Sequence, residues 1–437
     1  MSGLTDGRSA GTADDVRAGL PPLPRTAWLE IDLDALTNNL GVIRALAGDG
    51  IPVHAVVKAD AYGHGAVPVA RSLETAGADG FCVAAYDEAI ALRAGGIRAP
   101  ILVLYPIPVG WVVDAARRAV AITAGDQDLL AAALAEVERA QPRRALRIQL
   151  EVETGLGRGG FRSGELVAAA RAIRATRGAR ISGLWTHLQA PEDPANVATQ
   201  LGRFEAAVGA LRAARVRVPA RHFLASGSLV AGAGPMAAGA GAGAGVGTAM
   251  PWDGVASFDG VRPGLSLYGL IPDELGHGSM SPAAHRLRPA LSLRARAVRV
   301  ADLERGWGIS YGPTFRTDRP SRIATLPLGY GDGWSRALSN RAEALVRGVR
   351  VPTVGNVAMD AVMVDVTDVP GPPVTVADTF TLIGRDGLEE IAVADVARAR
   401  ATNAWEVVTS FARRMPRVYH AAAGPVAVRT LVSGGRG

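Results

Sequence analysis

Between residues 53 and 270, eight short apolar runs alternate with helical patterns, and this alternation restricts the fold more than any other feature of the chain. The runs fall at 53–57, 81–85, 101–104, 119–123, 146–152, 181–186, 221–225 and 265–270. Stretches such as Asp87–Ala94, Gln127–Glu138, Gly164–Thr176 and Asn196–Ala214 separate them. Each run is short for a helix and largely apolar, as a strand covered on both faces is. Strands alternating with helices build a parallel sheet. Periodicity alone does not distinguish an open, doubly wound sheet from a closed one. Eight strands over ~220 residues favour the closed (β/α)8 TIM-like barrel. Upstream, Trp28–Leu33 reads as a strand leading into a helix over Asp34–Leu46, with Asp34 as its N-cap.

After about residue 275 the texture changes. Short apolar runs such as Leu291–Val300, Arg322–Pro327, Ala342–Arg347 and Met363–Val366 are broken by Gly and Pro every 8–15 residues. That is the pattern of a mainly β domain, with one late helical stretch at Val396–Arg413. The expected organisation is a disordered extension over 1–24, a barrel over 25–275, a β-rich C-terminal domain over 276–425 and a tail over 426–437. Residues 231–249 are nearly all Gly and Ala and read as a flexible loop.

One lysine stands among the 47 basic residues, and it is Lys58. A composition that uses arginine everywhere else has kept lysine here. Lysine can lose its proton near neutral pH and can form a Schiff base with an aldehyde; arginine does neither. Lys58 follows the apolar run 53–57 and precedes Gly63 and Gly65, which places it at the C-terminal end of a strand. Catalytic residues of such barrels sit there. The plain alternative is a surface lysine whose stem covers apolar area, a role that arginine fills equally well.

Other candidates occupy strand ends or glycine-flanked loops. Arg158, in Thr154-Gly-Leu-Gly-Arg158-Gly-Gly, suits bidentate capture of a carboxylate, or is a turn arginine. His187 ends a strand and is either functional or a hydrogen-bonded core residue. Ser226-Gly-Ser228 and Arg262-Pro-Gly264-Leu265 flank the last two runs, where this architecture places phosphate; Gly-Ser turns are also common without one. Tyr311 and Tyr330 each precede a glycine in a loop, and turn packing explains such tyrosines as well as function does.

Several function classes are excluded or disfavoured. The net charge of +6 comes from arginines scattered along the sequence, with no dense basic run, which argues against nucleic acid. The only cysteine, Cys82, lies in an apolar run and reads as a buried, inert thiol. No metal-ligand spacing, phosphate-binding P-loop or nucleophile elbow occurs. No run reaches the length of a membrane span, and residues 1–24 lack the apolar core of a signal peptide, so a soluble, cytoplasmic protein is expected.

Taken together, these stretches resemble the alanine racemase family of fold-type III pyridoxal-phosphate enzymes. Ala55-Val-Val-Lys58-Ala-Asp-Ala-Tyr62-Gly-His-Gly looks like its cofactor-lysine motif. Thr154-Gly-Leu-Gly-Arg158, Thr186-His187, Arg262-Pro-Gly, Ser310-Tyr311-Gly, Gly329-Tyr330-Gly-Asp-Gly and Met359-Asp360 follow in the family's order. The likeness runs from about Trp28 to Tyr419. It implies racemisation of alanine, with pyridoxal 5'-phosphate bonded to Lys58. Lys58 is then the base for the D-enantiomer and Tyr311 the base for the L-enantiomer. Arg158 touches the cofactor's phenolic oxygen and the substrate carboxylate. Arg262 faces the pyridine nitrogen, with His187 near it. Tyr62, Ser226, Gly264 and Leu265 hold the cofactor, and Met359 and Tyr330 meet the substrate. The family supplies Tyr311 and Met359 from a partner subunit, so a homodimer is implied. Alternatives are a racemase of another small amino acid such as serine, a decarboxylase of the same fold type, or a cofactor-carrying protein without catalysis. The decarboxylases place a cysteine opposite the cofactor, whereas Cys82 lies in an early strand.

The chain departs from the family at defined positions. Glu151 replaces a lysine that many members carbamylate to orient the arginine, and it supplies an anion directly. Ala225 replaces an asparagine before Ser226, and Asn356 and Ala358 differ from the residues usual before Met359. The Ser226-to-Arg262 segment is ~20 residues longer than usual, through the Gly/Ala tract.

Overall fold

The computed structural model describes residues 22–231, 258–272, 275 and 280–432. The chain divides at Asp34/Ala35 and Pro289/Ala290 into two compact units. Most of the expected N-terminal extension, most of the Gly/Ala tract and the last five residues of the expected tail lie outside the described residues.

The first described strand is β1 (Ala27–Asp32), followed by α1 (Leu33–Ala47). Asp34 sits in the first turn of α1, not at its cap, because the helix begins one residue earlier than the sequence pattern suggests. Next come β2 (His54–Val56), α2 (Lys58–Tyr62), α3 (Ala66–Thr75), β3 (Gly80–Val83), α4 (Tyr86–Ala94) and β4 (Ile101–Val103). The series continues with α5 (Val112–Arg117), β5 (Val120–Ala124), α6 (Gln127–Ala140), β6 (Leu146–Glu151) and α7 (Ser163–Ala175). It ends with β7 (Ala179–Trp185), α8 (Pro194–Ala213), β8 (Arg221–His222) and α9 (Ser226–Val230).

Strands β2 to β8 form one parallel sheet in sequence order. The short segment around Val261 and Arg262 closes it: Val261 bridges Val53 and Arg262 bridges Ala225, both in parallel. Backbone hydrogen bonds from His54 to Val261, from Val56 to Pro263 and from Arg262 to Leu224, each 2.9 Å, stitch both edges. The barrel is therefore the expected one, but its eighth strand is not at 265–270. Leu265–Tyr268 is instead a 3-10 turn, with Leu265, Ser266, Leu267 and Tyr268 all buried. A short apolar run buried all round does not distinguish strand from helix by periodicity. Gly269, at φ 74°, terminates the turn.

The other unit is a mainly antiparallel sheet. Its strands are β1 together with β9 (Leu291–Arg296), β10 (Arg299–Leu303), β11 (Ser321–Leu326), β12 (Glu343–Val346) and β13 (Val349–Val354). Further strands are β14 (Val362–Asp365), β15 (Thr379–Asp386), β16 (Glu389–Ile391), β17 (Arg417–Ala421) and β18 (Gly424–Arg429). The strand order is β10-β11-β14-β13-β12-β15-β9-β1-β17-β18, with β16 on β15. The strand read at Trp28–Leu33 belongs to this sheet and not to the barrel: β1 runs antiparallel to β9 and parallel to β17. Local pattern identifies a strand without naming its partner, which explains the difference. β18 carries the sheet past the expected limit at residue 425, to Arg429. The helical stretch expected at Val396–Arg413 is two helices, α10 (Val393–Arg400) and α11 (Ala404–Thr409). Ala401 in the left-handed region ends the first, and the Asn403 side chain caps the second.

Candidate active site

Lys58 leads out of β2 into a turn that ordinary residues avoid. Ala59, Asp60, Ala61 and Tyr62 all have φ between 51° and 55°. A left-handed turn of L-residues costs roughly 1–2 kcal/mol per residue, so its surroundings must hold it. Glu88 does part of this: its carboxylate accepts from the Ala59 N–H at 2.6 Å and from the Ala84 N–H at 2.8 Å. Asp60 accepts from the Ala66 N–H at 2.8 Å, which ties the turn to the start of α3. The rings of Tyr62 and His64 lie 4.9 and 4.5 Å from that of Tyr268, whose hydroxyl donates to the Val56 carbonyl at 2.9 Å. Strain spread over the four residues Ala59 to Tyr62, directly after Lys58, fixes the path of the chain at the lysine. Burial, and then Arg158, hold the Lys58 ammonium below its ordinary pKa, with smaller opposing effects of Glu88 and Cys82.

At the end of β6, Glu151 is 6% exposed. Its carboxylate faces Gly125 and Gly159, and a Cβ at Gly160 would come within 3.1 Å of its Cγ. Burial raises its pKa to about 7, against the pull of Arg158 and Arg262. The Arg158 guanidinium stands 3.9 Å away, an ion pair without a hydrogen bond. Arg158 also covers the Tyr105 ring, 5.5 Å from its centroid. The loop that carries Arg158 is braced from below. Glu153 accepts from the Gly157 N–H at 2.9 Å, and Arg203 donates to the Thr154 carbonyl at 2.7 Å.

Arg262 is the most enclosed charge of this unit's site, 3% exposed. It donates to the carbonyls of Thr186 at 2.7 Å and His222 at 3.0 Å, and to His222 Nδ1. Its guanidinium lies 4.8 Å from the Trp185 ring centroid. Gln149 Oε1 takes the opposite ring nitrogen of His222 at 2.7 Å, so His222 carries its proton on Nε2 and accepts with Nδ1. Burial followed by Arg262 keeps His222 neutral. Burial lowers the Arg262 pKa to about 10, which still leaves it cationic at neutral pH. Partly buried His187 faces the same charges; burial, then Arg262, Arg158 and Lys58, lower its pKa to about 3. The histidine hydrogen-bonded to Arg262 is thus His222, a residue outside the expected site set. The usable signal is its place: His222 lies on a barrel strand four residues before Ser226, where a buried arginine needs a neutral acceptor.

Past β8, the Ser226 hydroxyl oxygen accepts from the backbone N–H of Gly264 at 2.8 Å and of Ser266 at 3.2 Å. A Cβ on Gly264 would lie 2.5 Å from the Tyr62 hydroxyl. Two backbone donors, two serine hydroxyls and one tyrosine hydroxyl therefore crowd a spot that suits a phosphate. Leu265, 1% exposed, anchors the turn in the core. Cys82 is buried in β3, and burial pushes its thiol up to about 12.

The sheet unit holds the remaining candidates. Tyr330 and Gly331 donate backbone N–H groups to the carbonyls of Ala358 (3.0 Å) and Met359 (2.8 Å). Any Cβ at Gly329 would meet the Ala358 carbonyl at 2.1 Å, so the glycine permits this approach. Buried Asp332 anchors the loop, accepting from Arg25 at 2.8 Å, Arg414 at 2.7 Å and the Gly329 N–H at 3.1 Å. Asn356, conspicuous in the sequence only as a departure, binds the Tyr311 loop through its side-chain amide. Tyr311 is 83% exposed, Met359 55% and Tyr330 46%.

Comparison with known proteins agrees with this assembly. The alanine racemase N-terminal domain family matches residues 31–272, and the C-terminal domain family matches 290–419. The alanine racemase of Symbiobacterium thermophilum is 38% identical over 397 residues, covering 90% of this chain and 97% of that protein. Alanine racemase 2 of Bacillus subtilis is 34% identical over 401 residues, covering 91% and 95%. The crystal structure of the Bacillus anthracis alanine racemase with bound L-Ala-P superposes with a TM-score of 0.83 at 31% identity, covering 95% of this chain and all of that one. With both domains matched in order over nearly the whole described chain, the protein belongs to the alanine racemase family.

Proposed function

We propose that the protein interconverts L-alanine and D-alanine by a two-base mechanism with pyridoxal 5'-phosphate, Lys58 serving one face of the substrate and Tyr311 the other. The observation that carries this reading is Lys58 itself. The chain's one lysine is held at a strained barrel mouth, where burial and Arg158 favour its neutral amine.

The residues present fit the cofactor. The serine hydroxyls and the Gly264 and Ser266 amides suit its phosphate, and Gly264 leaves the space that a Cβ would fill beside Tyr62. Arg262, satisfied only by carbonyls and a neutral imidazole, remains a donor that suits an unprotonated ring nitrogen. When bound, pyridoxal phosphate supplies the electron sink that makes an α-proton removable. Arg262 stays cationic at neutral pH and would hold a bound cofactor's ring nitrogen unprotonated, which would temper the electron sink. Arg158 binds the substrate carboxylate, with Glu151 as its counter-charge. Lys58 moves the proton at Cα on the D side and Tyr311 moves it on the L side.

Exposed Tyr311, Met359 and Tyr330 support a homodimer in which Tyr311 and Met359 of each subunit serve the partner's barrel. A single buried cysteine suits a reducing, cytoplasmic setting; no helix among the described residues is long and apolar enough to cross a membrane. The test is incubation of the cofactor-loaded protein with L-alanine, followed by chiral chromatography. Accumulation of D-alanine supports the reading. Racemisation of serine but not alanine, or release of carbon dioxide without inversion, overturns it.

A further inference from the structure

Arginines scattered along the sequence converge at the N-terminal mouth of the barrel, opposite the strand ends that carry Lys58. Arg117 ends α5, Arg143 and Arg144 lie between α6 and β6, Arg147 is the second residue of β6, and Arg180 is the second of β7. Arg144, Arg147 and Arg180 line a cleft of about 380 Å³. Arg117, Arg143 and Arg144 line a neighbouring cleft of about 460 Å³, so Arg144 is common to both. No aromatic residue lines either one.

Like charges are imposed here by the backbone. Arg147 and Arg180 are register partners on adjacent parallel strands, an arrangement that repels. Among the described residues none of the five forms an ion pair, whereas nearby Arg118 pairs with Asp114 and Arg139 with Glu136. Arg147 spends one hydrogen bond on the Ala119 carbonyl, at 3.0 Å. Burial lowers its pKa, and the charges that act on it, Arg180 and Arg144, lower it further. Neither cleft has an acidic residue in its lining, and guanidinium groups arranged so, open to solvent, are the chemistry that captures phosphate oxygens bidentately.

We propose that these two clefts bind one small polyphosphate-bearing anion, with Arg144 shared between adjacent phosphate groups and Arg147 and Arg180 holding one end. Two adjoining clefts suit a chain of phosphates better than a single one. The lack of lining aromatics disfavours single-stranded nucleic acid, whose bases need stacking surfaces.

The test uses the cofactor-loaded enzyme, so that the cofactor's own phosphate site is filled. Calorimetric titration with tripolyphosphate, pyrophosphate and monophosphate is run at matched ionic strength, since surface charge is screened by salt. Tripolyphosphate is expected to bind at least about tenfold more tightly than monophosphate, and Arg144→Gln or Arg180→Gln to weaken it by about tenfold. Without any anion, Arg180→Gln is expected to raise the melting temperature, because it removes a like charge. Unchanged racemisation by both variants verifies folding, since neither residue belongs to the catalytic machinery. Equal affinity for mono- and tripolyphosphate, undiminished binding by both variants, or tighter binding of a single-stranded oligonucleotide would each overturn the proposal.

Discussion

The side-chain amide of Asn356 donates to the backbone carbonyl of Tyr311 at 2.9 Å and to that of Gly312 at 3.0 Å. Its own carbonyl accepts from the Ser310 hydroxyl at 2.6 Å, and its Oδ1 from the Thr314 hydroxyl at 3.2 Å. One residue therefore grips the loop on both sides of Tyr311, three positions before Met359. Neutral hydrogen bonds of this kind contribute about 1 kcal/mol each. Asn356→Ala is expected to lower kcat by roughly tenfold, because a base displaced from its line of approach transfers protons poorly, while KM changes little. Steady-state kinetics in both directions checks this; an unchanged kcat would remove Asn356 from any role in positioning.

Lys58 gives a chemical test that few proteins allow. Borohydride reduction of the cofactor-loaded enzyme is expected to fix one cofactor per chain, on the peptide that contains Lys58. With no second lysine in the sequence, only the terminal amine competes. Peptide mass mapping reads the result, and a label elsewhere, or no visible chromophore before reduction, contradicts it.

The barrel was legible from the alternation of strands and helices, although one of the eight counted runs, 265–270, is not a strand, and Lys58 stands out by its solitude; both depend on local pattern and composition. What stayed hidden depended on partners. β1 looks like any strand, yet its registers with β9 and β17 put it in the other sheet. Leu265–Tyr268 is apolar enough for a strand, but Gly269 and burial on all sides make it a turn. His222 carries no motif; its role follows from buried Arg262, 40 positions away, needing a neutral acceptor. The family order supplied Tyr311, whereas the clamp on it came from Asn356, a position that departs from the family.

Glu151 is expected to make the activity depend on pH, with a definite sign. Its pKa of about 7 lies above the ordinary 4.5 of a glutamate. The carboxylate is thus ionised and paired with Arg158 above neutral pH, and is neutral below it. KM for alanine is expected to fall as pH rises through about 7, and Glu151→Gln to hold the higher KM at every pH. An ion pair near 4 Å with a half-exposed partner is worth about 1 kcal/mol, or roughly fivefold. For stability the sign is opposite. A raised pKa stabilises below about 4.5, and that contribution is lost as pH rises through about 7. Relative to Glu151→Gln, the wild-type apoenzyme should lose about 3 kcal/mol across that window. Melting curves at pH 5 and pH 8 measure it. Added bicarbonate should change neither protein, since no lysine stands here to be carbamylated.

Tyr311 decides whether two bases operate. Racemisation removes an α-proton from one face and returns one to the other, so a single base on each face is required in both directions. With the roles proposed above, Tyr311→Phe removes the L-side group and leaves Lys58. Racemisation is expected to fall by about 10²–10⁴-fold in both directions. The D-alanine α-proton should nevertheless still exchange with deuterium, because Lys58 reaches that face and returns the solvent isotope without inversion. L-alanine should exchange far more slowly. Proton NMR of each enantiomer in deuterated buffer separates the two rates. Equal exchange of both enantiomers by the variant would mean that one group reaches both faces, and Tyr311 would lose its assignment as the L-side base.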